Sequence, residues 1–278
     1  TQEMVYLQNG YIVGSPALVD LDEDEDMEIV FTTQRGSNSG ELFAIHHDGT
    51  DVDGFPVNIN EKMLVGPATG DLEGDGVIDI IVCTWEDNIY AIDNMGAVKP
   101  GFPFLSTNRF NSPPTLVDID SDGSLEIIAG NDSGILHVLH HDGSEMATFD
   151  TGDDIRGGIS VSDINNDGAY EFIVAGFGSE NLALSYKNNR LINIVNDTKF
   201  TDKKSFTIGV AACDIDSDGY EEIYFLNTDT YSGEKKYSDR LIDLKNTKFF
   251  DIFEQKKNQI DLNFTAGRSV VCVDRNGN

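Results

Sequence analysis

The hydrophobic residues of this chain fall into short runs that recur with the same neighbours. A small-residue turn with an apolar stretch comes first, as in GSPALV, GPATG, SPPTLV, GGISVS, GVAAC and GRSVVCV. An acidic segment follows, and then a run that is apolar at successive positions, as in EIVFTT, DIIVCT, EIIAG, EFIVAG and EIYFLN. Short runs that are apolar on both faces predict strands covered on each side by a neighbouring sheet.

Two further runs complete each repeat. The third (ELFAIHHDG, NIYAIDNMG, ILHVLHHDG, NLALSYKNN and RLIDLKNTK) leads into turn residues that are typical of a hairpin. The fourth is weaker (GFPVNI, GFPFLS, EMATFDT, LINIVND and FFDIFEQ). Because no segment shows convincing helical periodicity, the pattern predicts an all-β chain made of four-stranded units.

The acidic segments set the length of the repeat. They begin at Asp20, Asp71, Asp118, Asp163, Asp214 and Asp274, at intervals of 51, 47, 45, 51 and 60 residues. A period of about 40–50 residues is typical of four-stranded propeller blades. We therefore predict one β-propeller domain over residues 1–278, with blades at 13–60, 64–106, 112–152, 157–198 and 207–256 and a sixth that begins at 267.

The acidic segments share the pattern D-x-D-x-D-G-x-x-[DE], which predicts calcium loops. Calcium takes six to eight oxygen ligands, and alternate residues of a tight loop can direct carboxylates at one centre. The seventh position varies, as expected if it supplies only its backbone carbonyl. The predicted ligands are Asp20, Asp22, Asp24, Asp26 and Glu28; Asp71, Glu73, Asp75, Val77 and Asp79; Asp118, Asp120, Asp122, Ser124 and Glu126; Asp163, Asn165, Asp167, Ala169 and Glu171; Asp214, Asp216, Asp218, Tyr220 and Glu222; and, in the shortened sixth segment, Asp274, Asn276 and Asn278.

Two details of these loops lead to further expectations. The sixth position is Gly in four of the five complete loops and Glu25 in the first, which indicates a turn with positive φ. The twelfth position, where an EF-hand has a bidentate Glu, is Phe31, Val82, Ala129, Val174 or Phe225. These apolar residues belong to strand-like runs, so the loops are predicted to lie in β-hairpins, with about five calcium sites and a sixth begun.

The charge of the chain agrees with this interpretation. It contains 49 Asp and Glu against 19 Lys and Arg, a formal net charge of −30. A surface this acidic repels phosphate groups, so nucleic acids and anionic membranes are not expected partners. No apolar run approaches the roughly 18 residues of a membrane-spanning helix.

The repeated motif resembles the FG-GAP repeats of the integrin α-subunit β-propeller and its relatives. Residues 156–278 more narrowly resemble the propeller of the cartilage acidic protein family, whose members are secreted calcium-binding glycoproteins. The resemblance implies a non-enzymatic, calcium-stabilised propeller outside the cell, either secreted or at the cell surface. Such a module would serve adhesion, matrix or scaffold interactions with a protein or glycan ligand.

Two other function classes stay open at this point. A lectin-like propeller would need aromatic sugar platforms repeated between blades, but Trp85 is the only Trp. A polysaccharide lyase would need a cleft of Arg and Lys, and the basic residues here are few and dispersed. No phosphate loop, nucleophile elbow or zinc-protease motif occurs, and no remaining constellation resembles a catalytic pair.

Several single residues carry weaker expectations. The HHDG pairs, His46–His47 and His140–His141, are expected to be solvated turn residues rather than zinc ligands, and His137 a packed or exposed strand residue. Cys213 and Cys272 precede acidic segments and are expected to be buried thiols. Three N-x-[ST] sequons make Asn131, Asn196 and Asn263 candidate glycosylation sites.

The ends of the chain give one more expectation. The sixth acidic segment stops after five positions, which predicts that the natural polypeptide continues past Asn278 with at least one more blade. Residues around Met4–Leu7 are expected to pair as the outer strand of the last blade. Alternatively, a neighbouring subunit supplies the missing strands, which would make the propeller part of an oligomer or filament.

Overall fold

The computed structural model of the chain describes residues 10–36, 39–195, 198–201, 206–215, 218–227, 239–243 and 248–251. Within these ranges the chain is all-β apart from one helical turn, α1 (Thr198–Thr201). Consecutive strands pair into five separate sheets with antiparallel neighbours. The predicted all-β class and its four-stranded units are confirmed, and closure into a ring stays a prediction. The expected sixth blade and the Met4–Leu7 strand lie outside the described residues.

The strands follow one another sheet by sheet along the chain. The first sheet contains β1 (Tyr11–Ile12), β2 (Ala17–Val19), β3 (Glu28–Gln34), β4 (Gly40–Ile45) and β5 (Val57–Asn58); the second β6 (Ala68–Gly70), β7 (Asp79–Cys83), β8 (Asn88–Ile92) and β9 (Phe104–Leu105); the third β10 (Thr115–Val117), β11 (Glu126–Gly130), β12 (Ile135–Leu139) and β13 (Glu145–Asp150); the fourth β14 (Ile159–Ser162), β15 (Glu171–Val174), β16 (Leu182–Tyr186) and β17 (Leu191–Asn193); and the fifth β18 (Thr207–Cys213), β19 (Glu222–Asn227), β20 (Arg240–Asp243) and β21 (Lys248–Asp251).

The first sheet has five strands because its first strand is split. Strand β3 pairs with β1 at one end, where Tyr11 faces Gln34, and with β2 at the other, where Val19 faces Glu28. The other edge of β3 pairs with β4. The sheet therefore has the same layout as the four others, with one interruption.

The apolar second strand of the second sheet, β7, is buried because neighbouring sheets cover both of its faces. Side chains alternate between the two faces of a strand, and in β7 the two sets enter different cores. Ile80 and Val82 pack in a cluster with Val30 and Leu42 of the first sheet. Ile81 and Cys83 pack in a second cluster with residues of the third sheet, among them Ile127. This packing on both faces explains why the residues of β7 are apolar at successive positions.

The chain divides into two compact units. One comprises Thr1–Asn131 and His137–Met146, and the other Asp132–Leu136 and Ala147–Asn278. Within the second unit, Ile173 of β15 packs in one cluster with Ile223 and Phe225 of β19. Each unit thus has a core built in the same way, from the central strands of adjacent sheets.

Turns of adjacent sheets approach each other closely in the first unit. Gly96, in the turn that follows β8, has φ +81°, and a Cβ added to it would lie 2.5 Å from Gly54 O and 3.0 Å from Val57 Cγ2. Both of these neighbours precede or begin β5 of the first sheet. Gly152 has a similar φ of +84° but nothing within 4 Å of its added Cβ.

This pair of glycines provides a test of the contact between sheets. Gly152→Ala should destabilise the chain by about 1–2 kcal/mol, the cost of a left-handed residue with a side chain. Gly96→Ala should cost a further ~1–3 kcal/mol, because the added methyl group overpacks a backbone contact. Urea unfolding of both variants measures the difference, and equal losses would contradict the close approach.

Candidate metal centres

Five acidic loops each join the first and second strands of a sheet. We number their positions 1 to 9 from the first aspartate, so that loops one to five begin at Asp20, Asp71, Asp118, Asp163 and Asp214. Position 1 directly follows the first strand, and position 9 is the first residue of the second strand. The hairpin placement that the twelfth position predicted is confirmed, since Phe31, Val82, Ala129, Val174 and Phe225 all lie within second strands.

The position 1 aspartate holds each loop together through the backbone. In loop four, Asp163 Oδ1 accepts the Asp167 N–H at 3.0 Å, and Oδ2 accepts the Gly168 N–H at 2.8 Å. The same two bonds, from positions 5 and 6, are made to Asp20, Asp71, Asp118 and Asp214. These are charge-assisted bonds, which are stronger than neutral ones.

A second bond inside each loop orients position 5. Asp167 Oδ1 accepts the Ala169 N–H at 3.0 Å, and the position 5 aspartates of the other loops accept the position 7 N–H in the same way. The Ala169 bond and then the Lys187 ammonium hold the pKa of Asp167 below its usual value. The position 5 carboxylates are therefore fixed in direction, and those of loops one to four remain exposed to solvent.

The loop backbone adopts the positive φ that the glycines predicted. Position 6 has φ between +86° and +94° in the loops with Gly, and Glu25 adopts φ +73° in loop one. Position 4 also has positive φ, in Glu23, Gly74, Ser121 and Asn166. The residue type at position 4 varies between the loops, so the sequence did not predict this positive φ.

Position 9 supplies a buried carboxylate. Glu28, Glu126 and Glu171 have no exposed surface, and in each case Oε2 accepts the N–H of position 2 at 2.8–3.2 Å. Glu222 makes the same bond to Ile215 N at 2.8 Å. Burial raises the pKa of Glu126 and of Glu171, because desolvation penalises the charged form. Glu126 Oε1 is buried without a hydrogen-bond partner in the structure.

The loops that gather their carboxylates suit a hard cation. Oxygen atoms of Asp20, Asp22 and Asp24 lie within 4.8 Å of one another, and so do those of Asp118, Asp120 and Asp122. Oxygen donors in such numbers, with a buried acceptor left over at Glu126, match the preference of calcium. The residues of loops one and three therefore fit a calcium ion.

The four other predicted sites differ from this arrangement or cannot be compared with it. In loop two, Lys99 Nζ lies 2.5 Å from Glu73 Oε2 and 2.7 Å from Asp79 Oδ2. In loop four, position 3 is Asn165, whose Nδ2 donates to Glu171 Oε1 at 2.9 Å. In loop five, Asp216 lies outside the described residues, as do Asp274, Asn276 and Asn278 of the sixth segment.

Three of the histidines contact the loops, contrary to expectation. His46 Nδ1 lies 3.3 Å from Glu28 Oε1 and 3.9 Å from Asp22 Oδ2, and His140 Nδ1 lies 3.6 Å from Glu126 Oε1. Of the four histidines in the HHDG pairs only His47 is exposed, and its Nδ1 lies 3.3 Å from Asp26 Oδ2 of loop one. The sequence could not predict these contacts, because each joins a histidine in the turn after the third strand to a carboxylate of the loop that precedes the second strand.

Two other expectations fail for local reasons. Asn131 is fully buried and its Nδ2 donates to Ser106 Oγ at 3.0 Å, so this sequon offers no accessible amide to a glycan. Cys213 is disulfide-bonded rather than a free thiol, and its partner lies outside the described residues. Cys83 is the buried free cysteine of the described residues. The sequons at Asn196 and Asn263 also lie outside them.

The single tryptophan is covered by cations. Lys62 Nζ lies 3.3 Å from the centroid of a Trp85 ring, and Arg109 Cζ lies 4.7 Å from a Trp85 ring centroid. Such cation–π contacts use the aromatic faces on which a sugar would stack. The arrangement gives no support to the lectin alternative at Trp85.

Comparisons with known proteins agree with the resemblance in the sequence. Residues 163–225, which include loops four and five, match the model of the FG-GAP-like repeat. The chain is similar to cartilage acidic protein 1, with 43% identity to the Homo sapiens protein and 44% to the Mus musculus protein, over 131 residues each. Each match covers 43% of this chain and 20% of the relative. The chain therefore spans about a fifth of the length of these curated relatives.

The fold also resembles a solved structure from a bacterium. The crystal structure of the V. cholerae biofilm matrix protein Bap1 aligns with a TM-score of 0.62 and 21% sequence identity. The alignment covers 84% of this chain and 38% of that chain. The TM-score supports a common fold of repeated sheets. In the part of the chain that the structure describes, no helix is long and apolar enough to cross a membrane.

Loop three provides a test that separates building the loop from binding a cation. Asp118 accepts the N–H groups of Ser121, Asp122 and Gly123, whereas Asp120 accepts none among the described residues. In EDTA, Asp118→Ala should lower the free energy of unfolding by about 1–3 kcal/mol, the range for hydrogen bonds to a charged group. Asp120→Ala should cost nothing there, because it removes only like-charge repulsion.

With calcium added, both variants should lose the stabilisation that loop three contributes. Urea unfolding with and without calcium measures the two effects. A loss in EDTA from Asp120→Ala as large as that from Asp118→Ala would contradict the division of roles.

Proposed function

We propose that the chain is a non-enzymatic, calcium-stabilised β-propeller that serves as an adhesion, matrix or scaffold module outside the cell. The observation that carries this proposal is the repeated loop. The same aspartate accepts the same two backbone N–H groups in five successive sheets, and in loops one and three the carboxylates of positions 1, 3 and 5 gather within 4.8 Å of one another. A turn that is only solvated would not need the same hydrogen bonds in every repeat.

The chemistry of the loops supports an extracellular location. Carboxylates gathered within 4.8 Å repel one another in an empty loop, and a bound calcium ion would relieve that repulsion. Extracellular modules bind calcium with dissociation constants of about 10⁻⁴–10⁻³ M. The disulfide at Cys213 supports the same location, since disulfides persist in oxidising compartments.

The similar proteins support the class of function. Cartilage acidic protein 1 and the biofilm matrix protein Bap1 both have names that place them in material outside cells. A set of repeated sheets with cation loops would give such a module a rigid frame in a calcium-rich medium. The ligand would be a protein or a glycan of that medium.

One group of side chains has the geometry of a hydrolase triad, and we assign it a structural role. Ser106 Oγ lies 3.0 Å from His137 Nε2, and His137 Nδ1 lies 2.7 Å from Glu145 Oε1. However, Ser106 Oγ also accepts the Asn131 amide, and His137 is only 6% exposed. The network joins the ends of β9 and β11 to β12 and β13, so it stabilises adjacent sheets.

A serine-hydrolase probe tests this assignment. A fluorophosphonate should leave Ser106 unlabelled, and Ser106→Ala should lower the free energy of unfolding by about 0.5–1.5 kcal/mol through the lost hydrogen bonds. Peptide mass spectrometry and urea unfolding give the two readouts. Labelling at Ser106, or ester hydrolysis that Ser106→Ala abolishes, would contradict a non-enzymatic function.

Calcium removal tests the structural role of the cation. A site with a dissociation constant of about 10⁻⁴ M contributes roughly 2.7 kcal/mol at ~10 mM calcium, a hundredfold excess. EDTA should therefore lower the melting temperature markedly, and calcium should restore it. Magnesium at the same concentration should restore little, because it keeps its water ligands and demands octahedral geometry. An unchanged melting temperature after verified metal removal would refute the proposal.

Binding assays test the adhesion role itself. The chain should bind at least one member of a panel of matrix proteins and glycans in calcium, and the binding should disappear in EDTA. A glycan array and immobilised matrix proteins are the two arms, and the arm that responds identifies the ligand class. Cleavage of pectic polymers by the chain would instead favour a polysaccharide lyase.

A further inference from the structure

Loop two differs from the other loops in its carboxylates. Its position 3 is Glu73 and its position 9 is Asp79, the reverse of the Asp22 and Glu28 pair of loop one. The shorter Asp79 does not reach the N–H of position 2, a bond that the position 9 glutamates make. Asp79 is 1% exposed, and its Oδ1 is buried without a hydrogen-bond partner in the structure.

A lysine faces these two carboxylates. Lys99 Nζ donates to Glu73 Oε2 at 2.5 Å and to Asp79 Oδ2 at 2.7 Å, and its side chain is only 16% exposed. The Lys99 backbone is also fixed, because its N–H donates to Ala91 O of β8 at 2.9 Å. The ammonium group therefore lies between the position 3 and position 9 side chains, both of which would be calcium ligands.

Lys99 differs from the basic groups that face loops one, three and four among the described residues. His46 and His140 face the position 9 glutamates of loops one and three at 3.3 Å and 3.6 Å. In loop four, Lys187 Nζ lies 3.2 Å from Asp167 Oδ2, at position 5, and its side chain is 46% exposed. Among the described residues, only Lys99 donates hydrogen bonds to both position 3 and position 9, whereas His46 lies 3.3 Å from Glu28 Oε1 and 3.9 Å from Asp22 Oδ2 in loop one.

We propose that the Lys99 ammonium takes the place of calcium in loop two, so that this repeat is stabilised without a metal ion. The inference rests on the proposed function, since it assumes that the equivalent loops bind calcium. It makes loop two the exception among the predicted sites.

The physical reason is competition for the same oxygen atoms. Calcium needs carboxylates from positions 3 and 9 at about 2.3–2.6 Å. To admit it, Lys99 would have to break two charge-assisted hydrogen bonds and leave its position against the repulsion of the incoming divalent ion. The exchange of Glu and Asp fits this role, because a longer side chain at position 3 and a shorter one at position 9 leave room for an ammonium group.

Removal of the lysine charge should open the site. Lys99→Met keeps the length of the aliphatic stem, and radiocalcium equilibrium dialysis should then show one more calcium ion per chain than in the unaltered protein. Lys187→Met is the matched control, because it changes the net charge equally but removes a contact with a single carboxylate. Its stoichiometry should be unchanged. An unchanged stoichiometry in Lys99→Met would overturn the proposal.

Loss-of-site variants separate this inference from the proposed function. In the unaltered protein, Asp122→Ala and Asp167→Ala should each lower the stoichiometry by one, whereas Asp75→Ala in loop two should not. In the Lys99→Met background, Asp75→Ala should remove the added ion. If Asp75→Ala already removes an ion from the unaltered protein, the inference is wrong and the calcium function stands. If none of the three variants lowers the stoichiometry, the calcium function itself fails.

The thermal response gives a second readout. In EDTA, Lys99→Met should melt at a lower temperature than the unaltered protein, because Glu73 and Asp79 lose their counter-ion. Saturating calcium should abolish or reverse this difference, since the ion replaces the ammonium. A lower melting temperature that calcium does not restore would show that Lys99 is only a packing residue and would contradict the proposal.

Discussion

The loops depend on a pair of hydrogen bonds in which the position 1 aspartate accepts the backbone N–H groups of positions 5 and 6. This pair forces the chain through positive φ at position 6, and it does so even at Glu25, where no glycine eases the turn. In loops one and three the turn brings carboxylate oxygens of positions 1, 3 and 5 within 4.8 Å of one another. In an extended strand, carboxylates spaced two residues apart would share one face but lie about 6–7 Å apart along it, too far to gather around one ion.

The loops can be rigid because the strands behind them are buried. Position 9 is buried in all five sheets, at the start of a second strand whose side chains are mostly buried. A carboxylate there is costly unless it is bonded. The position 9 glutamates of the four other loops use one oxygen to close the loop onto position 2, whereas Asp79 depends on Lys99. Burial and this hydrogen bond therefore fix the direction of the position 9 carboxylate.

The sequence predicted those features that depend on local chemistry. Apolar runs identified the second strands, and the spacing of aspartates identified the loops and the glycine conformation. It could not predict contacts between distant turns. Lys99 follows Asp79 by twenty residues, and His46 follows Glu28 by eighteen, so nothing in the motif indicates either pairing. The burial of Asn131 and the disulfide at Cys213 were missed for the same reason, because both depend on tertiary packing.

The most direct test of the account is the position of calcium in a crystal grown with the ion. Anomalous scattering measured near the calcium absorption edge should give peaks in loops one, three, four and five, each about 2.3–2.6 Å from oxygens of positions 1, 3, 5 and 9. Loop two should show the Lys99 ammonium and no anomalous peak. Loops without peaks, or ions bound elsewhere on the acidic surface, would contradict the central claim that the repeated hairpin loop is a calcium site.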